Sequence, residues 1–201
     1  MNNMNHGLRI YAVCCLTALL LSGCFFTPVK TPVSYYIEVP EITTEQVIPA
    51  RIAVQAVDGR SPYRKRRITV SPRPYVQGSY SLAQWFENPC DMYTESIISY
   101  LSRKTECVSH DTMRLNDSAD WLIRTYIDVY DQVKRDDVWM AHTRVKYEIV
   151  KRDSSQVAVS EMFERKIPLQ DGSVESYVAT QNRIFREFLE ELTEKLKETA
   201  R

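Results

Sequence analysis

Residues 121–163 read WLIRTYIDVYDQVKRDDVWMAHTRVKYEIVKRDSSQVAVSEMF and carry a clear structural signal. Apolar and polar residues alternate in three runs, which is the period of strands with one buried face. The inward positions are Trp121, Ile123, Ile127 and Val129, then Trp139, Ala141, Val145, Tyr147 and Ile149, then Val157, Val159 and Phe163. Short polar connections separate the runs at residues 134–137 and 152–155. The pattern predicts an antiparallel meander.

Two amphipathic helices are predicted on either side of the meander in sequence. The second covers residues 174–199, where apolar residues recur every three or four positions. The first covers residues 81–101, with Gln84 in the capping-box position after Ser81 and with Pro89 expected to kink or split it. Together these elements predict an α+β fold, in which a mostly antiparallel sheet carries the two amphipathic helices on one face.

Shorter strands are predicted upstream of the first helix. Tyr35–Val39 forms one of them. Arg51–Val57 is apolar on both faces except at Gln55, which favours a central strand that ends at Asp58-Gly59. Segments 66–70 and 75–76 are expected to form an edge pair, because prolines between them would not be tolerated in a central strand.

The N-terminus has the pattern of an export signal. Tyr11–Leu21 is an apolar run of eleven residues, shorter than the roughly 20 needed to cross a bilayer but typical of a signal-peptide core. Leu21, Ser22, Gly23 and Cys24 follow and match the bacterial lipobox. Small residues before the cysteine give the lipoprotein signal peptidase access to the bond, and the Cys24 thiol would form a thioether with diacylglycerol. An ordinary secretory signal that happens to contain a cysteine is the alternative.

Lipidation of Cys24 would hold the protein on a membrane, because each buried methylene contributes about 0.8 kcal/mol. The sequence thus divides into a signal peptide at residues 1–23, the lipidated cysteine and a proline-containing tether at 24–34, and a single domain at 35–199. Ten residues of polyproline-like tether would reach about 31 Å.

The composition argues against several functional classes. The chain has 201 residues, and its basic and acidic residues balance at 26 each, so the bulk charge does not indicate a nucleic-acid partner. None of its five glycines lies in a phosphate-cradling pattern. No spacing typical of metal ligands occurs, and no nucleophile elbow. We therefore predict no catalytic residue, no metal and no cofactor. A hydrolase is the enzymatic alternative, and it would depend on His110 or His142.

A run of basic residues is the strongest local charge feature. Arg64, Lys65, Arg66 and Arg67 are consecutive. In an exported lipoprotein this run is a candidate contact for anionic headgroups or for an acidic partner, with each well-placed residue contributing about 1 kcal/mol. A solvated loop is the alternative interpretation.

Two cysteines lie beyond the lipobox. An even pair in an oxidising compartment suggests that Cys90 and Cys107 form a disulfide. A helix over residues 91–103 would carry the chain about 20 Å from Cys90, whereas four extended residues return at most about 14 Å. A disulfide needs Cα atoms within roughly 7 Å. Two buried thiols are therefore the alternative.

The order of these landmarks resembles the ABC-type transport auxiliary lipoprotein family, which includes paraquat-inducible protein C. The resemblance runs over most of residues 24–199. It is carried by the lipobox, Tyr35-Tyr36-Ile37, Arg51–Val57, Arg67-Ile68, Tyr75, Ala83-Gln84-Trp85, Ala119-Asp120-Trp121-Leu122-Ile123, the meander and the last helix with Tyr177 near its start.

The resemblance implies a non-enzymatic accessory lipoprotein of an ABC-type intermembrane lipid transport system. Such a protein would act with an ABC transporter by docking to a periplasmic protein that carries mammalian-cell-entry domains. Phe25 stands where an inner-membrane retention signal would place Asp, which implies an outer-membrane anchor facing the periplasm. Tyr35, Tyr36, Tyr75 and Tyr80 are candidate docking residues, with core or rim positions as the alternative, and a homo-oligomer is compatible with this role. An envelope-assembly lipoprotein, supporting an outer-membrane or peptidoglycan-synthesis machine, is the alternative.

Overall fold

The computed structural model describes residues 30–41, 47–111 and 118–200. The predicted signal peptide and the lipobox residues Leu21, Ser22, Gly23 and Cys24 lie outside the described residues. The described strands are β1 (Val33–Tyr35), β2 (Ile48–Val54), β3 (Asp58–Gly59), β4 (Arg67–Arg73), β5 (Val76–Trp85), β6 (Thr105–His110), β7 (Trp121–Arg135), β8 (Val138–Lys151) and β9 (Val157–Pro168). The helices are α1 (Pro89–Leu101) and α2 (Val174–Thr199), with a short 3-10 turn at Ser61–Arg64.

The sheet is built around β7. Along one side, β7 pairs antiparallel with β8 over its whole length, and β9 continues antiparallel beyond β8. This confirms the predicted meander. Along its other side, β7 borders β2, β3 and β4 in turn, each in the parallel sense. Beyond these strands, β6 lies parallel to β2, β5 antiparallel to β4, and β1 parallel to β5.

The expectation of a mostly antiparallel sheet is therefore wrong. Among the described strands, five neighbouring pairs are parallel and three are antiparallel. The parallel partners of β7 precede it in sequence, and α1 and other elements intervene, so the chain can return in the same direction. Alternation within a strand shows which face is buried, but it does not show the direction of a distant neighbour.

The first predicted helix begins later than its sequence pattern suggested. Ser81 and Gln84 belong to β5, and α1 starts at Pro89 with Asn88 as its N-cap. The side-chain oxygen of Asn88 accepts a hydrogen bond of 3.0 Å from the backbone N–H of Asp91. Proline is favoured at the first helical position, where its missing N–H leaves no bond unmade. Pro89 therefore starts the helix and does not kink it.

Strand pairing changes other predicted boundaries. β1 starts at Val33, so the last two residues assigned to the tether pair with β5. The pair β4 and β5 is confirmed, but β4 lies between β5 and β7 and is not an edge strand. The ladder between β4 and β5 is irregular between Val70 and Arg73, around Pro72, where a missing N–H is tolerated.

A β-bulge changes the inward face of β7. The register with β8 shifts between Ile127 and Val129, so Asp128 is the additional residue. The next residue to enter the core is Tyr130, which is 1% exposed, and not Val129 as the simple alternation predicted.

Both helices contribute to one core with β7–β9 and the upstream strands. The rings of Tyr93 on α1 and Phe185 on α2 have centroids 4.5 Å apart. A second, smaller apolar cluster joins Ala53, Leu122 and Val150 on other strand faces. Within the described residues the α+β class and the presence of two helices are confirmed, and neither helix is long and apolar enough to span a bilayer.

Candidate functional site

The predicted basic run is divided between structural and surface roles. The guanidinium of Arg64 forms an ion pair of 2.6 Å with Asp58 and donates to the carbonyl oxygen of Gly59 at 2.9 Å. Arg66 donates to the carbonyl oxygen of Trp85 at 3.1 Å. Lys65 and Arg67 are exposed and line a surface cavity of about 260 Å³. All four residues are exposed, and Arg64 and Arg66 in addition hold the turn and the end of β5.

The two cysteines are free thiols in the structure. Cys90 is buried in the first turn of α1, and burial raises the pKa of its thiol to about 11, which makes it unreactive. Cys107 lies on β6 opposite Arg51 of β2 and is exposed, so the expectation of two buried thiols is wrong at this residue. The length of α1 separates Cys90 from the start of β6, as the geometric argument required.

The two histidines of the hydrolase alternative have different partners. His110 contacts Glu95 at 3.1 Å, whereas His142 contacts Glu164 at 2.8 Å. In the part of the chain that the structure describes, no group of three or more His, Cys, Asp or Glu side chains could hold a metal ion.

The main polar arrangement lies on the face of β7–β9 that points away from the core. We call it the open face and define it by His142, Arg144, Lys146 and Glu148 of β8 with their neighbours on β7 and β9. Registered pairing aligns these residues in rows across three strands. One row is Tyr126, Lys146 and Met162, in which the tyrosine and methionine are 36% and 50% exposed. Rows of charged side chains lie on both sides of it.

Glu164 on β9 is the centre of the charged rows. Its Oε1 atom accepts hydrogen bonds from Arg144 at 2.9 Å and from His142 at 2.8 Å, and Lys166 lies 3.2 Å away. Arg144 also reaches Asp128 at 3.3 Å, and Arg60 contacts the other oxygen of Asp128 at 2.8 Å. The bulge in β7 thus supplies the carboxylate that connects the network to the loop after β3.

The electrostatics of the network favour fixed charges. Hydrogen bonding from Arg144 lowers the pKa of Glu164 to about 2, and His142 and Lys166 add to the effect against the opposing influence of burial. Burial lowers the pKa of His142, although the hydrogen bond with Glu164 acts in the other direction. At neutral pH the carboxylate is therefore ionised and the imidazole neutral. This arrangement orders a surface and is not poised for proton transfer.

The row that contains His142 also contains a buried carboxylate, which belongs to β7. Asp131 pairs with His142 in the ladder and is 6% exposed. It accepts hydrogen bonds from the Tyr63 hydroxyl at 2.9 Å and from Gln77 at 3.2 Å. Burial raises the pKa of Asp131, while these hydrogen bonds oppose the shift. Asp131 thereby ties the 3-10 turn and the β4–β5 hairpin to the central strand.

Sequence reasoning did not identify the open face. The inward positions Ala141 and Val145 imply that His142 and Arg144 point outward, and the structure agrees. Glu164 and Asp128 were not recognised, because their meeting depends on the register of three strands and on the bulge. Outward charges of opposite sign on successive strands were the available signal, but they do not reveal which residues are aligned.

No family model matches the chain, and no curated protein matches it. Solved structures do match. Protein XCC0632 from Xanthomonas campestris, of the family DUF330, has a TM-score of 0.69 at 15% identity, covering 81% of this chain and 92% of that one.

Two further solved proteins have the same overall arrangement. An uncharacterized protein gives a TM-score of 0.60 at 9% identity, covering 83% of this chain and 99% of its own. The hypothetical protein CT253 from Chlamydia trachomatis gives 0.53 at 15% identity, covering 74% and 98%. At these identities the likeness shows the fold alone: this chain is similar in fold to the DUF330 protein of Xanthomonas campestris.

Proposed function

We propose that this chain is a lipid-anchored accessory protein of the bacterial envelope, which acts by docking to other proteins and not by catalysis. The observation that carries the proposal is the lipobox Leu21–Cys24, which ends nine residues before β1 begins at Val33. A thioether-linked lipid on Cys24 would hold the folded residues within a tether length of a membrane.

The specific role we propose is that of an auxiliary component of an ABC-type intermembrane lipid transport system. In this role the protein is anchored in the outer membrane, faces the periplasm and docks to a periplasmic partner with mammalian-cell-entry domains. The ordered landmarks from the lipobox to Tyr177 support this role through their resemblance to the auxiliary lipoproteins. The fold is compatible with it.

The open face is the docking surface that we assign to this partner. Tyr126 and Met162 supply exposed apolar area beside Lys146, and residues of these kinds suit protein interfaces. The ion pairs around Glu164 hold the surrounding side chains in place, so that less side-chain entropy would be lost on binding. The fixed charges also favour a partner of complementary charge.

Labelling with palmitate tests the anchor. The native protein is expected to take up label and to sediment with membranes, whereas Cys24→Ser removes the thiol and should abolish both. Cys107→Ser is the matched control, because it removes an exposed thiol of the folded region and should leave both unchanged. Label retained by Cys24→Ser would contradict the proposal.

Site-specific photocrosslinking tests the docking role in intact cells. A photoreactive residue at Lys146 should capture the protein with mammalian-cell-entry domains, while the same residue at Arg183 on α2, whose side chain is 65% exposed, should not. Equal capture from the two positions would argue against docking through the open face. Capture of a peptidoglycan synthase or of an outer-membrane assembly machine from Lys146 would overturn the transport role in favour of envelope assembly.

A further inference from the structure

The hairpin between β4 and β5 ends in an exposed aromatic tip. Tyr75 is fully exposed and has a φ of 62°. Positive φ is uncommon for a bulky residue, and here the two-residue turn Pro74-Tyr75 imposes it. Val76 beside it is 38% exposed. The tip thus presents a ring and an aliphatic side chain to solvent, on a backbone that tyrosine does not prefer.

A second hairpin tip points the same way. β4 and β7 are parallel, with Ser71 beside Val133, so the turn after β7 lies at the same end of the sheet as the tip after β4. That turn contains Asp136 and Asp137, both with positive φ, and leads into Val138, which is 46% exposed. Exposed apolar side chains therefore occur on two neighbouring tips.

The chain runs into β1 from the direction of this end, although Val33 is level with the far end of β5. β1 is parallel to β5, with Val33 beside Ala83, so the residues before Val33 approach from the side where β5 begins. Val33 itself is 56% exposed. In the β4–β5 hairpin, Arg67 is opposite Gln84 and Arg73 is opposite Val76. These two residue pairs are six positions apart along β4, which corresponds to a distance of about 20 Å.

The tether length limits how far this end can be from the lipid anchor. Cys24 and Val33 are nine residue steps apart in the sequence, so a polyproline-like tether between them would reach about 28 Å. That reach exceeds the 20 Å projection of the hairpin by only about 8 Å. When the hairpin is directed at the membrane, its tip must therefore lie in or next to the headgroup layer.

We propose that the two hairpin tips rest on the phospholipid bilayer that holds Cys24, with Tyr75 in the headgroup layer. The inference rests on the proposed lipid anchor and adds a second contact with the membrane. Tyrosine suits this depth, because its ring is apolar and its hydroxyl is polar. The charged residues of the two tips would lie on the side of the headgroup layer that faces water.

The charges at the tips are compatible with phosphate headgroups. The two tips carry three basic residues and two acidic ones: Arg73, Lys134 and Arg135, with Asp136 and Asp137. The Lys134 ammonium pairs with Asp137 at 2.9 Å. The segment of residues 60–86, which contains the first hairpin, has no carboxylate. Arg73 is the basic residue of this segment next to the tip, whereas Arg60, Arg64, Lys65, Arg66 and Arg67 lie at or before the other end of β4. Anionic lipid therefore meets little repulsion from the first hairpin.

Fluorescence quenching in vesicles tests the inference on the full lipidated chain. In a Cys107→Ser background, Tyr75→Cys and Phe86→Cys place one fluorescent label at either end of β5. Phe86 is the matched control, since it is an aromatic residue with 61% exposure at the far end of the strand. The vesicles contain phosphatidylethanolamine, phosphatidylglycerol and a lipid with a nitroxide headgroup.

We expect the label at position 75 to be quenched at least threefold more strongly than the label at position 86. Equal quenching at the two positions in protein that floats with the vesicles would overturn the bilayer contact and leave the anchor intact. Failure of the protein to float would overturn the anchor and the bilayer contact with it. Circular dichroism of both variants establishes that each is folded.

Discussion

Phe188 on α2 shows how much a single core residue contributes to this fold. Its ring is fully buried and packs against Tyr147, Phe163 and Phe185, with centroid distances of 5.5 to 6.2 Å. Phe188→Ala would leave a cavity between the helix and the meander. We expect the free energy of unfolding to fall by about 3–5 kcal/mol, measured by urea denaturation.

The control is an exposed phenylalanine. Phe86→Ala removes a ring that is 61% exposed and should change the free energy of unfolding by no more than about 0.5 kcal/mol. Similar losses for the two variants would show that α2 does not form the core in the way described.

Glu164 provides a second residue-scale prediction, through pH. Its pKa falls from the ordinary 4.5 to about 2, chiefly because Arg144 donates to the carboxylate. A depressed pKa stabilises the folded state above the unfolded value, and this contribution is lost as the pH falls from 4.5 to 2. Because the side chain is 31% exposed, solvent screening reduces the contribution to about 1 kcal/mol.

Glu164→Gln removes that titration. The stability difference between the native protein and the variant should therefore shrink by about 1 kcal/mol between pH 5 and pH 2. Urea midpoints at a series of pH values measure it, and groups that titrate in both proteins cancel in the difference. Glu87→Gln, at an exposed position between β5 and α1, is the comparison for a general effect of charge. A difference that is constant over this range would mean that Arg144 does not hold Glu164 ionised.

At the scale of elements, α1 tests the corrected helix start. Asn88 caps the helix through the N–H of Asp91, so Asn88→Ala should lower the free energy of unfolding by about 1 kcal/mol. Ser81→Ala should change it by less than about 0.5 kcal/mol, because Ser81 is an exposed residue of β5. Urea unfolding of the two variants distinguishes a helix that begins at Pro89 from one that begins near Ser81. A larger decrease in the free energy of unfolding for Ser81→Ala would favour the earlier start.

The meander and α2 could be predicted because each buries one face. Such an element shows a period of two or of about 3.6 in its own residues, whatever its neighbours are. Segment 81–88 could not be assigned in this way. Leu82, Trp85 and Phe86 have helical spacing, yet Leu82 and Phe86 are 48% and 61% exposed and only Trp85 is buried. Pairing with β1 and β4 makes the segment a strand, and neither partner is visible locally.

The candidate site was harder to predict than the elements that carry it. The run Arg64–Arg67 is visible in the sequence as a cluster of basic residues. In the fold, however, Arg64 forms an ion pair and Arg66 donates a hydrogen bond to a backbone carbonyl. The network around Glu164 needs residues from the loop before β4 and from β7, β8 and β9. Its assembly depends on strand register and on one bulged residue, which are tertiary properties.

At the scale of the whole molecule, the parallel arrangement of β1 with β5 and of β4 with β7 directs two hairpin tips toward the side from which the chain runs into β1. The tether of eight residues between Cys24 and Val33 then acts as a length restraint as well as a link. A longer tether should keep the anchor and release the contact, because the local concentration of the tips at the bilayer falls as the tether lengthens.

Insertion of twenty Gly/Ser residues between Thr31 and Pro32 tests this restraint. The insert adds a root-mean-square length of about 25 Å, comparable to the original reach. Membrane sedimentation should stay unchanged, since two or three acyl chains determine it. Quenching of the label at position 75 should fall towards the value at position 86. Insertion of the same residues between Asp153 and Ser154, in the β8–β9 turn, is the control and should leave the quenching as it was. If the longer tether had no effect on quenching, the hairpin tips would be held at the bilayer by their own affinity and not by the tether length.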